Sequence, residues 1–203
     1  MYQIIFATGN AGKMKEVREI LADLPAQVLS MKEAGIDTDI VEDGTSFEEN
    51  AVIKARAVAG ALGEREKAVV LADDSGLEID WLDGEPGIYS ARYMGEDTSY
   101  RIKNQNIMDR LEGVPDEKRT ARFVCAIAAV FPDGRELVTR GTIEGIIGYE
   151  ERGENGFGYD PIFFLPERGC STAELPPEEK NNVSHRGNAL RSMKALLEKE
   201  HLL

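Results

Sequence analysis

A glycine-rich stretch near the start of the sequence has the composition of an anion-binding turn. It reads Thr8-Gly9-Asn10-Ala11-Gly12-Lys13 and joins an apolar segment to a helical pattern. At such a junction, backbone N–H groups and the positive end of a helix can face a phosphate, and a lysine adds a full charge. The spacing is not that of a P-loop. On residue chemistry alone, a turn with a solvent-facing lysine is an equally good interpretation.

Three carboxylates lie at positions in the sequence where they could act as ligands of a hard metal ion. Asp73 and Asp74 follow the short apolar run 68–72, and Glu42 lies in an acidic loop before a second helical pattern. Mg²⁺ takes few protein carboxylates and completes its shell with water and phosphate oxygens. Two adjacent carboxylates at the end of an apolar strand cost stability unless a cation compensates them. Since adjacent strand residues point to opposite faces, we expect only one of the pair to face a ligand.

Three further groups could contact a base or a phosphate, and each has a simpler structural interpretation. Asn50 and Lys54 are four residues apart on one helix face, which also describes an ordinary polar edge. The segment 156–161, Gly-Phe-Gly-Tyr-Asp-Pro, combines backbone freedom with rings that can stack on a base or fill the core. The segment 184–187, Ser-His-Arg-Gly, with Lys180 upstream, offers donors or an exposed basic patch.

The overall composition excludes several classes of protein. The chain of 203 residues has 37 acidic and 24 basic side chains and a net charge of −13, the wrong sign for holding polymeric nucleic acid or an anionic membrane. No apolar run approaches the ~20 residues that span a bilayer. Two cysteines without a CxxC pair, and two histidines, suggest neither a zinc site nor a disulfide framework. The first residues show no export signal, so we expect a cytoplasmic protein.

The segments that would position these residues alternate between strands and helices. A first helix is predicted from helical spacing of the apolar residues Met14, Val17, Leu21 and Leu24. A second helix begins at the capping box of Ser46 and Glu49. The pattern predicts strands over 2–7, 27–31, 68–72, 77–81, 122–131, 136–147 and 162–165, a helix over 98–112, a Pro-rich connection and a last helix after 187. We therefore expect one α/β domain over 1–203.

Taken together, the polar segments resemble a known family. The matching stretches, in chain order, are ATGNAGK at 7–13, SFEENAVIKARA at 46–57, ADDSGLEID at 72–80, GEPGIYSARY at 84–93, GFGYDPIFF at 156–164 and SHRGNAL at 184–190. They are similar to those of the inosine/xanthosine triphosphate pyrophosphatase, or Ham1-like, family and extend over nearly the whole chain.

The resemblance implies a fold and an activity. The fold is α/β, with a single elongated mixed β-sheet, flanking helices and two lobes around a central nucleotide cleft. The activity is Mg²⁺-dependent hydrolysis of ITP, dITP and XTP to the monophosphate and pyrophosphate by a homodimer. The expected partner is a small purine nucleoside triphosphate, not a polymeric nucleic acid or a membrane.

The resemblance also implies which residues form the site. Asp74 matches the proton acceptor, and Glu42 and Asp74 match the metal ligands, although the order Glu42-Asp43 leaves the division of labour between these two open. The substrate-binding positions match Thr8, Gly9, Asn10, Ala11, Gly12, Lys13, Lys54, Ser75, Phe157, Gly158, Tyr159, Asp160, Lys180, His185 and Arg186. We expect His185 and Arg186 to donate to the 6-oxo group that hypoxanthine and xanthine share.

Two other functions are compatible with parts of the sequence. A related fold houses the Maf-like nucleotide pyrophosphatases, which act on pyrimidine or modified nucleotides, but the SHRGNAL and GFGYDP segments favour the purine branch. A non-catalytic nucleotide-binding regulator would keep the pocket and lose the carboxylates, whereas Glu42, Asp73 and Asp74 are all present.

Overall fold

The computed structural model describes residues 2–62 and 68–199. In these ranges the strands are β1 (Tyr2–Phe6), β2 (Ala26–Ser30), β3 (Ala68–Ile79), β4 (Thr120–Val130), β5 (Glu136–Ile147), β6 (Phe163–Leu165) and β7 (Cys170–Ser171). The α-helices are α1 (Ala11–Ile20), α2 (Phe47–Leu62), α3 (Tyr100–Arg110), α4 (Pro177–Val183) and α5 (His185–Lys199). None of the helices in these two ranges is both long and apolar enough to cross a membrane.

The described strands form one mixed sheet in the order β2-β1-β3-β4-β5-β6-β7. β1 pairs in parallel with β2 and with β3, and Ile4 lies opposite both Val28 and Val69. β6 pairs antiparallel with β5 and with β7. The hairpin predicted between β4 and β5 is present, and its turn residue Gly134 has a φ of 83°, which glycine adopts without strain. The predicted mixed α/β sheet with helices is therefore confirmed.

The chain divides into two compact units. The first contains the chain up to Asp74, the segment Cys125–Gly141 and the chain from His185 onward. Its core includes the four residues whose spacing predicted the first helix, Met14, Val17, Leu21 and Leu24, together with Met193 and Leu197 of α5. Burying each large apolar side chain contributes roughly 1.5–3 kcal/mol, which is why these stripes fix the two helices in this unit.

The second unit contains Ser75–Val124 and Thr142–Ser184. Its core joins α3 to the strands through side chains such as Ile107, Leu77 and Phe163. The rings of Phe123 and Phe163 are 4.3 Å apart between centroids, a packing distance typical of aromatic pairs in cores.

Three predicted boundaries are wrong. The strands expected over 68–72 and 77–81 are one twelve-residue strand, β3, so Asp73 and Asp74 lie inside the strand and not at its end. The strand is uninterrupted because side-chain cations compensate both carboxylates, as the site geometry below shows. The Pro-rich connection, which was expected to be irregular, contains α4. This helix has a proline in its first turn, where the missing N–H costs nothing because N–H groups of a first turn have no partner within the helix. The last helix begins at His185, so the 184–187 motif does not precede it.

Candidate active site

The phosphate loop, residues 8–13, is shaped by two of its own side chains. The Thr8 hydroxyl accepts the N–H of Asn10 at 3.1 Å, and Asn10 Oδ1 accepts the N–H of Lys13 at 3.1 Å. Asn10 is thus the N-cap of α1, a position that favours asparagine because its side chain satisfies an N–H group of the first turn. Gly9 and Asn10 are exposed. An exposed turn at a helix start can present N–H groups to an anion.

Asp73 is buried in the first unit and is neutralised by two cations. Its Oδ2 lies 2.9 Å from Lys13 Nζ and 3.3 Å from Arg186 Nη2. Burial alone would raise the pKa of this carboxyl, but the charges of Lys13, Arg186 and Lys54 hold the pKa well below its usual range. Glu16 on α1 binds a different guanidinium nitrogen of Arg186. The interpretation of Lys13 as a solvent-facing residue is therefore wrong.

Asp74 has a separate set of partners. Its Oδ2 accepts a hydrogen bond from Asn50 Nδ2 at 3.2 Å, and its Oδ1 lies 3.3 Å from Lys54 Nζ. The same Lys54 Nζ lies 3.1 Å from Glu42 Oε2. Asn50 and Lys54 on α2 are both buried, so their interpretation as a polar helix edge is wrong. Burial raises the pKa of Asp74 above its usual value, because Lys54 and Asn50 offset only part of that effect.

The strand geometry gives the two aspartates different environments. As expected for neighbours in a strand, Asp73 and Asp74 point to opposite faces of β3. Asp73 contacts cations from α1 and α5, whereas Asp74 contacts Asn50 and Lys54 of α2, and Lys54 in turn contacts Glu42. Asp73 is therefore a permanently ionised counter-ion, and Asp74 is the carboxylate of the pair that gains a proton more readily.

Glu42 and Asp74 are the carboxylates that could hold a metal ion together. Among residues 2–62 and 68–199, no group of three or more His, Cys, Asp or Glu side chains forms a metal-binding cluster. Two carboxylates gathered around one ammonium suit Mg²⁺, which takes one or two protein carboxylates and fills its shell with water and phosphate oxygens. A structural zinc site would need four ligands of a different kind. Asp43, the alternative to Glu42, is exposed, and Glu42 is the residue that contacts Lys54.

In the second unit, Asp160 holds the aromatic loop, residues 156–161. Its Oδ2 accepts the N–H of Phe157 at 2.8 Å and lies 2.7 Å from Lys180 Nζ. The Thr172 hydroxyl donates to Asp160 Oδ1 at 2.9 Å. The Lys180 ammonium is 5.0 Å from the centroid of the half-buried Phe157 ring, within the range of a cation–π interaction. The loop therefore presents Phe157 in a fixed orientation.

Tyr159 anchors the same loop in the core of the second unit. Its hydroxyl donates to the carbonyl oxygen of Ser90 at 2.7 Å, and its ring meets Tyr100 edge-on at 5.2 Å between centroids. Burial raises the pKa of Tyr159 well above its usual value. For Tyr159, the interpretation as a core residue beneath the loop is correct. The neighbouring carbonyl of Gly158 accepts a hydrogen bond from buried Asn104 at 3.4 Å.

The structure divides the sequence-predicted site residues between the two units. The phosphate loop, Glu42, Lys54, Asp74, His185 and Arg186 belong to the first unit. Ser75, the residues Phe157, Gly158, Tyr159 and Asp160, and Lys180 belong to the second. His185 and Arg186 are buried in the first turn of α5, so the alternative of an exposed basic patch is wrong.

Sequence reasoning missed two residues that act on the predicted site. Glu16 binds Arg186, and Thr172 donates to Asp160. The spacing of Asn50 and Lys54 did single out Asn50, but it did not indicate that Asn50 donates to Asp74. Glu16 and Thr172 gave no signal, because each meets its partner only through the tertiary fold.

Comparisons with known proteins identify the family of the chain. A model of the Ham1 family matches residues 4–196. The chain belongs to the Ham1 family. A Clostridium perfringens relative named dITP/XTP pyrophosphatase is 46% identical over 196 residues, covering 96% of each chain. A Bacillus subtilis relative of the same name is 46% identical over 198 residues, covering 98% of each chain.

Solved structures of other Ham1 proteins share the fold. A Coxiella burnetii HAM1 protein superimposes with a TM-score of 0.87 at 41% identity, over 98% of this chain and 100% of that one. A Mycobacterium abscessus protein described as nucleoside-triphosphatase / dITP/XTP pyrophosphatase gives a TM-score of 0.73 at 39% identity, over 96% and 98%. This Ham1-family chain is therefore matched over nearly its whole length in both sequence and fold.

Proposed function

We propose that this Ham1-family chain hydrolyses ITP, dITP and XTP to the nucleoside monophosphate and pyrophosphate. Relatives matched over nearly their whole length carry the name dITP/XTP pyrophosphatase. The observation that supports the same chemistry here is the placement of the phosphate loop beside the carboxylates. Lys13 of that loop lies 2.9 Å from Asp73, the residue next to Asp74. The Lys13 charge also acts on Asp74, where it offsets part of the rise in pKa that burial causes, so an anion on the loop would lie within electrostatic reach of that carboxylate.

In the proposed mechanism, the first unit binds the triphosphate and supplies the base. The backbone of the phosphate loop and the ammonium groups of Lys13 and Lys54 bind the phosphate oxygens. Asp74 accepts the proton of the water that attacks the α-phosphorus in line, and pyrophosphate leaves. Asn50 and Lys54 position Asp74 for this role, because each contacts one of its two carboxylate oxygens. The two lysines stabilise charge on the leaving oxygens, the main way in which proteins accelerate such reactions.

We propose Mg²⁺ as the cofactor, held by Glu42 and Asp74. When bound, the ion supplies positive charge that neutralises the triphosphate. Glu42 is expected to act in holding the metal and not in the proton transfer, since its side chain faces Lys54 and is partly exposed.

The aromatic loop is proposed to hold the base. Phe157 offers a ring for stacking, and Asp160 and Lys180 keep that ring in place. His185 and Arg186 are proposed to donate to the 6-oxo group of the purine. Adenine carries an amino group at that position, so the donors of His185 and Arg186 would face another donor if ATP were bound. A site that selects its substrate by a hydrogen bond to the 6-oxo group can reject a nucleotide that lacks this group by about 10⁴-fold. We also propose that the protein is cytoplasmic and that it is a homodimer, the second as the family resemblance implies.

A nucleotide panel with product analysis tests the proposed function. Purified protein with Mg²⁺ is given dITP, XTP, dATP, dGTP, UTP and dTTP, and the products are separated. We expect monophosphate and pyrophosphate, with dITP and XTP preferred. Diphosphate and phosphate as products, or a preference for UTP and dTTP, would contradict it. Asp74→Asn should lower kcat by about 10²–10⁴-fold, the range for a lost general base, and near wild-type turnover would exclude Asp74 from that role.

A further inference from the structure

Lys54 occupies the place between the two carboxylates that are proposed to hold the metal. Its ammonium lies 3.1 Å from Glu42 Oε2 and 3.3 Å from Asp74 Oδ1. The Lys54 side chain is 11% exposed, so water screens these contacts little. The single positive charge of Lys54 is thus shared by two carboxylates. Together the three side chains carry a net charge of −1.

In the protein without bound metal or nucleotide, the position of Lys54 between Glu42 and Asp74 has an electrostatic reason. Two carboxylates that approach one another repel, and a buried pair is tolerated only if a cation compensates it. Lys54 supplies that cation. Its ammonium is a compact charge with three rotatable donors, and its flexible four-carbon side chain can hold this charge in several positions. Lys13 differs, because its ammonium is paired with the fully buried Asp73 and is not shared with Glu42.

We propose that Lys54 is the resident counter-ion of the metal site and competes with the metal for Glu42 and Asp74. This inference rests on the proposed function, since it uses the proposed metal ligands. A divalent ion that binds these carboxylates meets the Lys54 charge at the same oxygens, so the nucleotide-free protein binds the ion weakly. A triphosphate offers Lys54 new oxygens and relieves the competition. Metal and nucleotide therefore bind cooperatively, and the free enzyme does not accumulate metal.

The test measures Mn²⁺ binding to the nucleotide-free protein, with free Mn²⁺ followed by electron paramagnetic resonance. Lys54→Met removes the competing charge while keeping most of the side-chain volume. We expect it to bind Mn²⁺ about tenfold more tightly than wild type, because a full charge close to the ion is removed. Arg56→Met is the matched control for loss of a positive charge from the same helix, because the Arg56 guanidinium pairs with Glu136, and it should change the affinity by less than about threefold.

Two further variants make the result decisive. Glu42→Gln in the Lys54→Met background should abolish the gain in affinity, because it removes one of the contested carboxylates. Lys54→Gln is measured as a second neutral variant, so a folding defect in Lys54→Met leaves the comparison intact. Thermal denaturation checks that each variant is folded.

Several outcomes would overturn the proposal. It is wrong if neither neutral variant binds Mn²⁺ more tightly than wild type, since Lys54 would then support the metal site. It is also wrong if Arg56→Met gains as much Mn²⁺ affinity as Lys54→Met, or if the gain persists without the Glu42 carboxylate. Failure of the proposed function is recognised separately, because wild type would then release no pyrophosphate from dITP whatever its Mn²⁺ affinity.

Discussion

The two adjacent aspartates of β3 should respond to the same substitution in opposite ways. Asp73→Asn removes a carboxylate that is 1% exposed and serves both Lys13 and Arg186. Removing one partner of a buried charge pair costs about 3–5 kcal/mol, because it leaves an uncompensated charge in the interior. At about 2–4 °C per kcal/mol for a chain of this size, Tm should fall by roughly 6–20 °C. Asp74→Asn should leave stability unchanged or raise it, since burial already disfavours the charge of Asp74.

The pH dependences of these two effects should also have opposite signs. The pKa of Asp73 is lowered in the folded state, so the stability it contributes is complete above its unfolded pKa of about 3.9 and is lost as pH falls toward the folded value. The advantage of wild type over Asp73→Asn should therefore shrink by about 1 kcal/mol between pH 5 and pH 3. The pKa of Asp74 is raised, so its charge costs free energy at neutral pH, and the cost disappears as pH falls below the unfolded pKa.

Urea denaturation of wild type and both variants, at pH 7, 5, 4 and 3 in the presence of EDTA, checks this reasoning. Each variant is the matched control of the other, because the substitution and the strand are the same and only the face of β3 differs. Equal losses for the two variants at pH 7, or a loss below about 1 kcal/mol for Asp73→Asn, would refute the assignment of Asp73 as the buried counter-ion.

Three further predictions concern the metal, the aromatic loop and the base. Glu42→Gln should raise the Mg²⁺ concentration for half-maximal rate more than the KM for dITP, whereas Asp43→Asn should change little; equal effects would mean that the acidic loop is misassigned. Gly156→Ala should raise the KM for dITP and lower Tm, because an added Cβ would lie 2.2 Å from Asp160 Oδ2; Gly134→Ala, with a similar φ and open space, controls for backbone strain. Arg186→Ala should narrow the ratio of kcat/KM between dITP and dATP; equal losses on both substrates would exclude Arg186 from reading the base and leave it only as the buried partner of Asp73.

Much of the fold follows from local patterns in the sequence. The apolar stripe of the first helix, the capping box before α2 and the Pro-Asp-Gly turn all act over a few residues, so the sequence predicts them well. The continuity of β3 could not be predicted in this way. Adjacent aspartates normally end a strand, and here they continue it because their counter-ions come from α1, α2 and α5.

The sequence supplies candidate residues for the site but few of the contacts between them. Segments such as ATGNAGK and GFGYDP predict the chemistry by their composition and order. The contact between Glu16 and Arg186 joins positions 170 residues apart, and nothing in either local sequence indicates it. Thr172 is a similar case, because its hydroxyl reaches Asp160 only through the packing of the second unit.

The pairing of Arg186 with Asp73 has a consequence for how the protein is made. The two residues are 113 positions apart, so the ribosome completes the phosphate loop, α2 and β3 long before it reaches α5. Until α5 emerges, Asp73 has Lys13 as a cation but lacks the guanidinium that shares its charge. The first unit therefore reaches its final electrostatic balance only near the end of synthesis.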